Sequence, residues 1–235
     1  MPGQLLCELH CHSTWSDGDL AIPQLVDLYG SSGFDVLAIT DHVVRTDAIP
    51  TIRASNYEPY LAEIQAEAER AAALYGLLVI PGLELTFDDP DAGEAGHALA
   101  LGVRRFVGLA DGLDDALKEA RAAGATLIAA HPYRMRDVGA ATRMTARFSA
   151  DPDWAAQAVD RFEVCNRFTF FDWVAEHRLP VVATGDFHRL EHLSSWKTLI
   201  PTEKSEEAVL DYLRSSKPVA LTVIDPTTAQ LEEVA

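Results

Sequence analysis

The sequence predicts an α/β barrel, on three observations. Short apolar runs rich in β-formers recur along the chain, most are separated by stretches with helical spacing, and histidines and carboxylates gather where the runs end. The strand-like runs are Leu5–Leu9, Val36–Ile39, Leu77–Ile80, Ala98–Leu101, Leu127–Ala130, Phe162–Val164, Val181–Ala183 and Val219–Val223, each short enough for a buried strand. Helical spacing runs over Ile22–Leu28, Tyr60–Leu74, Leu113–Ala123, Phe170–Glu176 and Glu206–Leu213, and Gly33, Gly76 and Gly124 stand where helices should stop. Such alternation implies parallel strands with crossover helices, either a doubly wound sheet or a barrel. The polar stretch Asp88–Gly96 reads as a loop joining two strands without a helix, so the alternation is imperfect.

At 235 residues the chain fits one barrel domain, residues 1–235. Its 19 basic and 36 acidic residues give a formal charge of -17, which opposes capture by long nucleic acids or anionic membranes. The start lacks the basic patch and apolar run of a secretory signal, and no segment approaches ~20 apolar residues, so a cytoplasmic location is expected. Cys7, Cys11 and Cys165 lack CxxC spacing and read as reduced core residues rather than disulfides or zinc thiolates.

The histidines decide between sheet and barrel. Six of the eight, His10, His12, His42, His97, His131 and His188, fall in or just after predicted strands. Residues two apart on a strand share a side, so His10-Cys11-His12 aims two imidazoles together with Cys11 facing away, and Asp186-Phe187-His188 repeats the pattern. Asp17, Asp41, Glu84 and Asp186 accompany them. Nine ligands (the six imidazoles with Asp17, Glu84 and Asp186) are enough for three metals, and imidazole with carboxylate suits Zn, Mn or Fe(II) in an open catalytic site. Six neighbouring strands of a flat sheet would span more than ~20 Å, whereas on a barrel the C-terminal strand ends converge.

With these motifs in this order, over residues 5 to 192, the sequence resembles the PHP (polymerase and histidinol phosphatase) superfamily: His10-Cys11-His12, Ser16-Asp17-Gly18, Thr40-Asp41-His42, Gly82-Leu83-Glu84, His97, Ala130-His131-Pro132 and Gly185-Asp186-Phe187-His188. The resemblance, most similar to stand-alone bacterial phosphoesterases, implies a distorted TIM-like (βα)7 barrel with a metal site at the C-terminal ends of the strands. It implies a first metal on His10, His12, Glu84 and Asp186. Glu84 would bridge to a second on His97 and His131, and Asp17, His42 and His188 would hold a third. Glu84, Asp186 and His188 form the catalytic set. The family often has Ser-Asp-Ala-His where Gly185-Asp186-Phe187-His188 stands, and the spacing between Glu84 and His131 leaves little room for an inserted subdomain.

Two or three divalent ions of Zn, Mn or Fe would give a metal-bridging hydroxide that attacks phosphorus in line. The expected function is a metal-dependent phosphoesterase acting on a small phosphorylated metabolite or nucleotide. The alternatives are an exonuclease or oligonucleotide phosphodiesterase, and a noncatalytic metal-binding regulatory module. For phosphate recognition Arg134 and Arg189 are best placed, ahead of Lys197 and Arg45. Asp41 is expected either to orient an imidazole or to cap its loop, Glu163 and Asn166 stay outside the catalytic set, and His192 reads as a loop residue.

Overall fold

The computed structural model describes residues 3–45, 50–134 and 145–224. In chain order the elements are β1 (Leu5–Glu8), α1 (Ile22–Ser31), β2 (Val36–Ile39), β3 (His42–Val44), α2 (Tyr57–Tyr75), β4 (Leu78–Phe87), β5 (Gly96–Leu101), α3 (Leu113–Ala122) and β6 (Thr126–Ala130). Then come α4 (Arg147–Ala150), α5 (Pro152–Ala158), β7 (Arg161–Asn166), β8 (Thr169–Phe170), α6 (Asp172–Glu176), β9 (Val181–Thr184), a 3-10 turn at Leu190–Leu193, β10 (Trp196–Ile200), α7 (Glu206–Arg214) and β11 (Ala220–Val223). Gly76 ends α2 in the left-handed conformation at φ +62°, the role its position predicted.

The strands form one curled, mixed sheet in the order β11-β10-β1-β2-β4-β5-β6-β7-β8, with β3 also on β4 and β9 on β7. This corrects the expected (βα)7 barrel in two respects. The predicted helix-free loop at residues 88–96 makes β4 and β5 an antiparallel pair, with Phe87 opposite Gly96, and β5 pairs antiparallel with β6 in turn. His97 therefore sits at the N-terminal end of its strand, yet at the same mouth as the C-terminal ends of β4 and β6. The second respect concerns closure. Residues 185–195, with one 3-10 turn and no α-helix, separate β9 from β10, and β10 runs antiparallel to β1 and enters the seam.

The sheet is thus a curled half-barrel and not a full (βα)7 barrel, and one hydroxyl and one isolated bridge span its seam in place of a ladder. The Thr198 hydroxyl accepts from the Ala183 N–H at 2.9 Å and donates to its carbonyl at 2.7 Å. Nearer the mouth, Cys11 and Phe187 form an isolated parallel bridge, with His12 N–H on the Phe187 carbonyl at 2.8 Å and Phe187 N–H on the His10 carbonyl at 3.0 Å.

Strand alternation divides the apolar residues between two cores. Leu5, Cys7, Leu9, Val36, Ala38, Leu99, Leu101, Ile128 and Ala130 point inward and pack with Val209, Leu210 and Leu213 of α7, which plugs the mouth opposite the histidines. Their neighbours Leu37, Ile39, Ala98, Ala100, Leu127 and Ala129 face the outer core with α1, α2 and α3. Arg161 fastens the plug: its buried guanidinium donates to the carbonyls of Tyr212 and Leu213 in α7, of Ser215 and Lys217 just beyond that helix, and of Val181 in β9. A cation at the carbonyl end of a helix also complements its dipole. All three cysteines are buried and free, and no helix among the described residues is long and apolar enough to cross a membrane.

The seam carries a test. Thr198→Val keeps the shape but leaves the buried Ala183 N–H and carbonyl without a partner, so urea unfolding should show a loss of about 1–3 kcal/mol.

Candidate metal centre

Past β1 the chain stays extended through Leu9-His10-Cys11-His12, so both imidazoles enter the mouth and Cys11 joins the outer core. The Cys11–Phe187 bridge sets Asp186 and His188 beside them. His10 Nε2 lies 3.4 Å from Glu84 Oε2 and 3.5 Å from Asp186 Oδ1, and His12 Nε2 lies 3.4 Å from each of the same two oxygens. Ligands around a tetrahedral ion with bonds of about 2.0–2.1 Å stand ~3.3 Å apart, so this is the spacing of a cation's shell. His10 Nε2, His12 Nε2 and Glu84 Oε2 are moreover buried without a well-formed hydrogen bond, although His42 Nδ1 comes within 2.8 Å of Glu84 Oε2. Each such atom costs about 1–3 kcal/mol, and one divalent ion would satisfy all three.

Glu84 faces a second position with its other oxygen: Oε1 lies 3.1 Å from His97 Nδ1 and 3.2 Å from His131 Nε2. A third gathers around Asp17 Oδ1, with His188 Nε2 at 3.3 Å, His42 Nε2 at 3.4 Å and His12 Nδ1 at 4.0 Å. The mutually close donor groups are His10/His12/Asp186, His10/Glu84/His131 and His12/Asp17/His42/His188. All nine residues singled out by the sequence thus meet in one mouth. Three details differ from the expected grouping. His12 reaches the third position as well as the first, His10 groups with Glu84 and His131 as well as with His12 and Asp186, and the Nε2 of His97 is engaged by Asp88 at 3.3 Å.

Burial and neighbouring charge set the protonation of these groups. His12 is pushed down to about 3, first by burial and then by His42 and His188, which keeps it a neutral donor. Burial alone would raise Glu84 and Asp186, but the imidazoles around them, His42 and His10 foremost for Glu84 and His10 for Asp186, hold both well below the usual carboxylate range. Burial likewise opposes the charge on His97, yet Asp88 and Glu84 raise it to about 9. An ion taking up His97 therefore displaces a proton.

Several supporting residues lay outside the sequence-based set. Glu163 is fully buried and makes four bonds: Oε1 accepts from His10 Nδ1 at 2.8 Å and the Thr184 hydroxyl at 2.6 Å, and Oε2 from the His131 N–H at 2.6 Å and Asn166 Nδ2 at 2.8 Å. Holding the proton on Nδ1 leaves the Nε2 lone pair of His10 for a metal. The available signal was a carboxylate inside the apolar run Phe162-Glu163-Val164. His192, expected as a plain loop residue, accepts the His188 N–H on its Nδ1 at 3.0 Å. Of the two readings of Asp41, the structure gives the loop cap: it takes the Ser13 N–H and hydroxyl and the Ser16 hydroxyl, at 2.6–2.8 Å, and so pins the loop that carries Asp17. Gly18 lets that loop fold back, since a Cβ there would overlap the His12 carbonyl. His131 and Asp186 hold positive φ, +29° and +42°, a strained backbone typical of functional positions.

The basic residues are distributed differently from expectation. Arg134 donates to Glu176 and lies 3.5 Å from Asp172, so α6 holds it. Arg189 is exposed, 3.6 Å from Glu191. Lys197 is buried against Glu8, and Arg45 donates to the Asp88 carbonyl while lying over the Phe87 ring. Among the described residues, the guanidinium at the cluster belongs to Arg167, at φ +53°: Nη2 lies 3.0 Å from Asp186 Oδ2 and 2.8 Å from the Asp186 carbonyl. Its place directly after a strand-end Asn166 was the only hint in the sequence.

The family model described as PHP domain matches residues 8–161, more than half of the chain. The DNA polymerase/3'-5' exonuclease PolX of Bacillus subtilis (strain 168) is 31% identical over 103 residues, which cover 42% of this chain and only 18% of that protein. Among solved structures, a two-domain protein from Bacteroides vulgatus ATCC 8482 containing a predicted PHP-like metal-dependent phosphoesterase superposes with a TM-score of 0.67 at 21% identity, over 94% of this chain and 65% of that one. An amidohydrolase from Chromobacterium violaceum gives 0.54 at 18% identity, over 77% and 87% of the two chains. At these identities the likeness is one of fold.

Two outcomes are expected. After chelation, adding back Mn2+ should raise the thermal midpoint, by about 2.7 kcal/mol of stability at 100 times the dissociation constant. Glu163→Gln should weaken metal binding roughly 10- to 100-fold in a titration of the chelated protein.

Proposed function

Because the chain belongs to the PHP domain family, we propose that it is a metal-dependent phosphoesterase acting on a small phosphorylated metabolite or nucleotide. The observation that carries this reading is the set of three orphaned buried donors around Glu84, whose two oxygens face two neighbouring positions. In this reading His10, His12, Glu84 and Asp186 hold one ion, Glu84, His97 and His131 a second, and Asp17, His42 and His188 a third. The donors are imidazole and carboxylate with no thiolate, which suits Zn, Mn or Fe(II). Bound there, the ions supply a lowered pKa for water and positive charge against the nonbridging oxygens of an in-line displacement.

The protein's own groups do the rest. Glu84 fixes the separation of the first two positions, since one carboxylate serves both. Asp186 and His188, two residues apart on the segment bridged to Cys11, tie the first position to the third. Arg167 sits on Asp186 with more than a third of its side chain exposed, and its unused donors suit a phosphate oxygen. Arg134 and Arg189 would need to leave Glu176 and Glu191 to share that task. We read residues 1–235 as one barrel domain with the site in its open mouth.

A second reading has support from the PolX likeness: an exonuclease or oligonucleotide phosphodiesterase. The charge of -17 favours a short substrate over a long polymer. Rates that fall steeply with salt would favour the polymer.

The deciding experiment measures hydrolysis of an aryl phosphate monoester and its diester by chelated protein with and without added Mn2+. Turnover only with metal is expected. Bound metal with no turnover on these or on a panel of sugar phosphates and nucleotides would overturn the enzymatic reading in favour of a noncatalytic module. Arg167→Ala should leave metal content unchanged and lower kcat/KM by about 1.5–3 kcal/mol, roughly 10- to 150-fold.

A further inference from the structure

A buried charged pair lies beside the cluster and holds none of the donor atoms. Lys197 on β10 and Glu8 at the end of β1 are both fully buried, with Nζ 2.7 Å from Oε2. Lys197 also donates to the Ser195 hydroxyl at 2.6 Å and the His192 carbonyl at 3.3 Å. Glu8 Oε1 accepts the backbone N–H groups of Leu9 at 3.1 Å, His10 at 3.2 Å and Gly185 at 2.9 Å, and Oε2 takes the Tyr29 hydroxyl at 3.3 Å. A buried ion pair is weak evidence for stability, because apolar residues of the same volume often do as well or better. Its bonds indicate another role.

Each end of the pair reaches the ligand segments. Glu8 holds the amide of His10 and that of Gly185, the residue before Asp186. Lys197 binds the carbonyl of His192, whose ring accepts the His188 N–H. Gly185 belongs to the same unit: a Cβ there would overlap both the Glu8 carboxylate and the Lys197 ammonium. The pair thus fills the room that a side chain at 185 would need. This explains why glycine stands at 185.

We propose that Glu8, Lys197 and Gly185 form one positioning unit that sets the separation of the ligand segments His10–His12 and Asp186–His188, and through it the metal affinity. The proposal rests on reading the cluster as a metal centre. A unit of this kind acts on affinity separately from stability, and the two can be measured apart.

The test titrates chelated protein with Mn2+, records the visible spectrum of the Co2+ form, and measures the thermal midpoint of the chelated form. Lys197→Met should lower that midpoint, since Glu8 is left unpaired, and weaken Mn2+ binding roughly 10- to 100-fold. In the Glu8→Gln/Lys197→Met double variant the midpoint should recover, while Mn2+ binding stays at least about 10-fold weak and the Co2+ spectrum stays altered. Gly185→Ala, with both charges intact, should weaken binding similarly. If Lys197→Met does not fold, these last two variants carry the test. Wild-type affinity in the double variant, or in Gly185→Ala, would overturn the positioning role and leave the metal centre standing. A wild-type protein that takes up neither Mn2+ nor Co2+ would overturn the metal-centre reading, and this proposal with it.

Discussion

Polar atoms at the mouth of the barrel are taken out of water, and the structure depends on how each is satisfied. Glu84, Asp186, His10 and His12 are buried above an apolar interior, where an unpaired charge or lone pair is costly. Nearly every atom turned away from the centre has a partner: Glu163 for His10, Thr86 for His42, Asp88 for His97, and the Asp186 carbonyl for His188. The inner atoms point at one another: His10 Nε2 and His12 Nε2 lie 3.4–3.5 Å from Glu84 and Asp186, and His42 Nδ1, shared with Thr86, comes within 2.8 Å of Glu84 Oε2. That division, with outer nitrogens engaged and the Nε2 atoms of His10 and His12 free, leaves the cluster able to take up metal.

The rest of the fold holds this arrangement open at one end and sealed at the other. The plug of Val209, Leu210 and Leu213, fastened by Arg161, closes the far mouth with apolar side chains and satisfied carbonyls. The irregular seam serves the same end: β10 enters it to bring Lys197 under the site, and the Cys11–Phe187 bridge, above Thr198, aligns two ligand pairs that are far apart in sequence.

How legible the sequence was depended on whether a residue's role comes from local pattern. Strand runs, most helices and the helix-free loop at 88–96 were readable because apolar spacing and turn chemistry are local properties. The nine donor residues were readable for the same reason, since alternation decides which side of a strand a side chain takes. Strands β3, β8 and β10 were not, being short or carrying polar residues whose partners come from elsewhere. Glu163 looked like any strand carboxylate until His10 and His131 were brought to it. Arg134 and Arg189 looked best placed because they stand just after ligands in sequence, yet carboxylates of their own surroundings hold them, and Arg167 stands at the cluster instead.

By itself the sequence determined the α/β class, the family resemblance and the set of imidazoles and carboxylates, because two-residue and helical periodicities fix the direction of side chains within each element. Tertiary structure alone decided which donors share a position, that His12 reaches two of them, that a hydroxyl and a single bridge span the seam of the curled sheet, and that a buried Lys197–Glu8 pair leaves room only for glycine at 185. These depend on distances between segments up to 177 residues apart, and nothing in local periodicity encodes such distances.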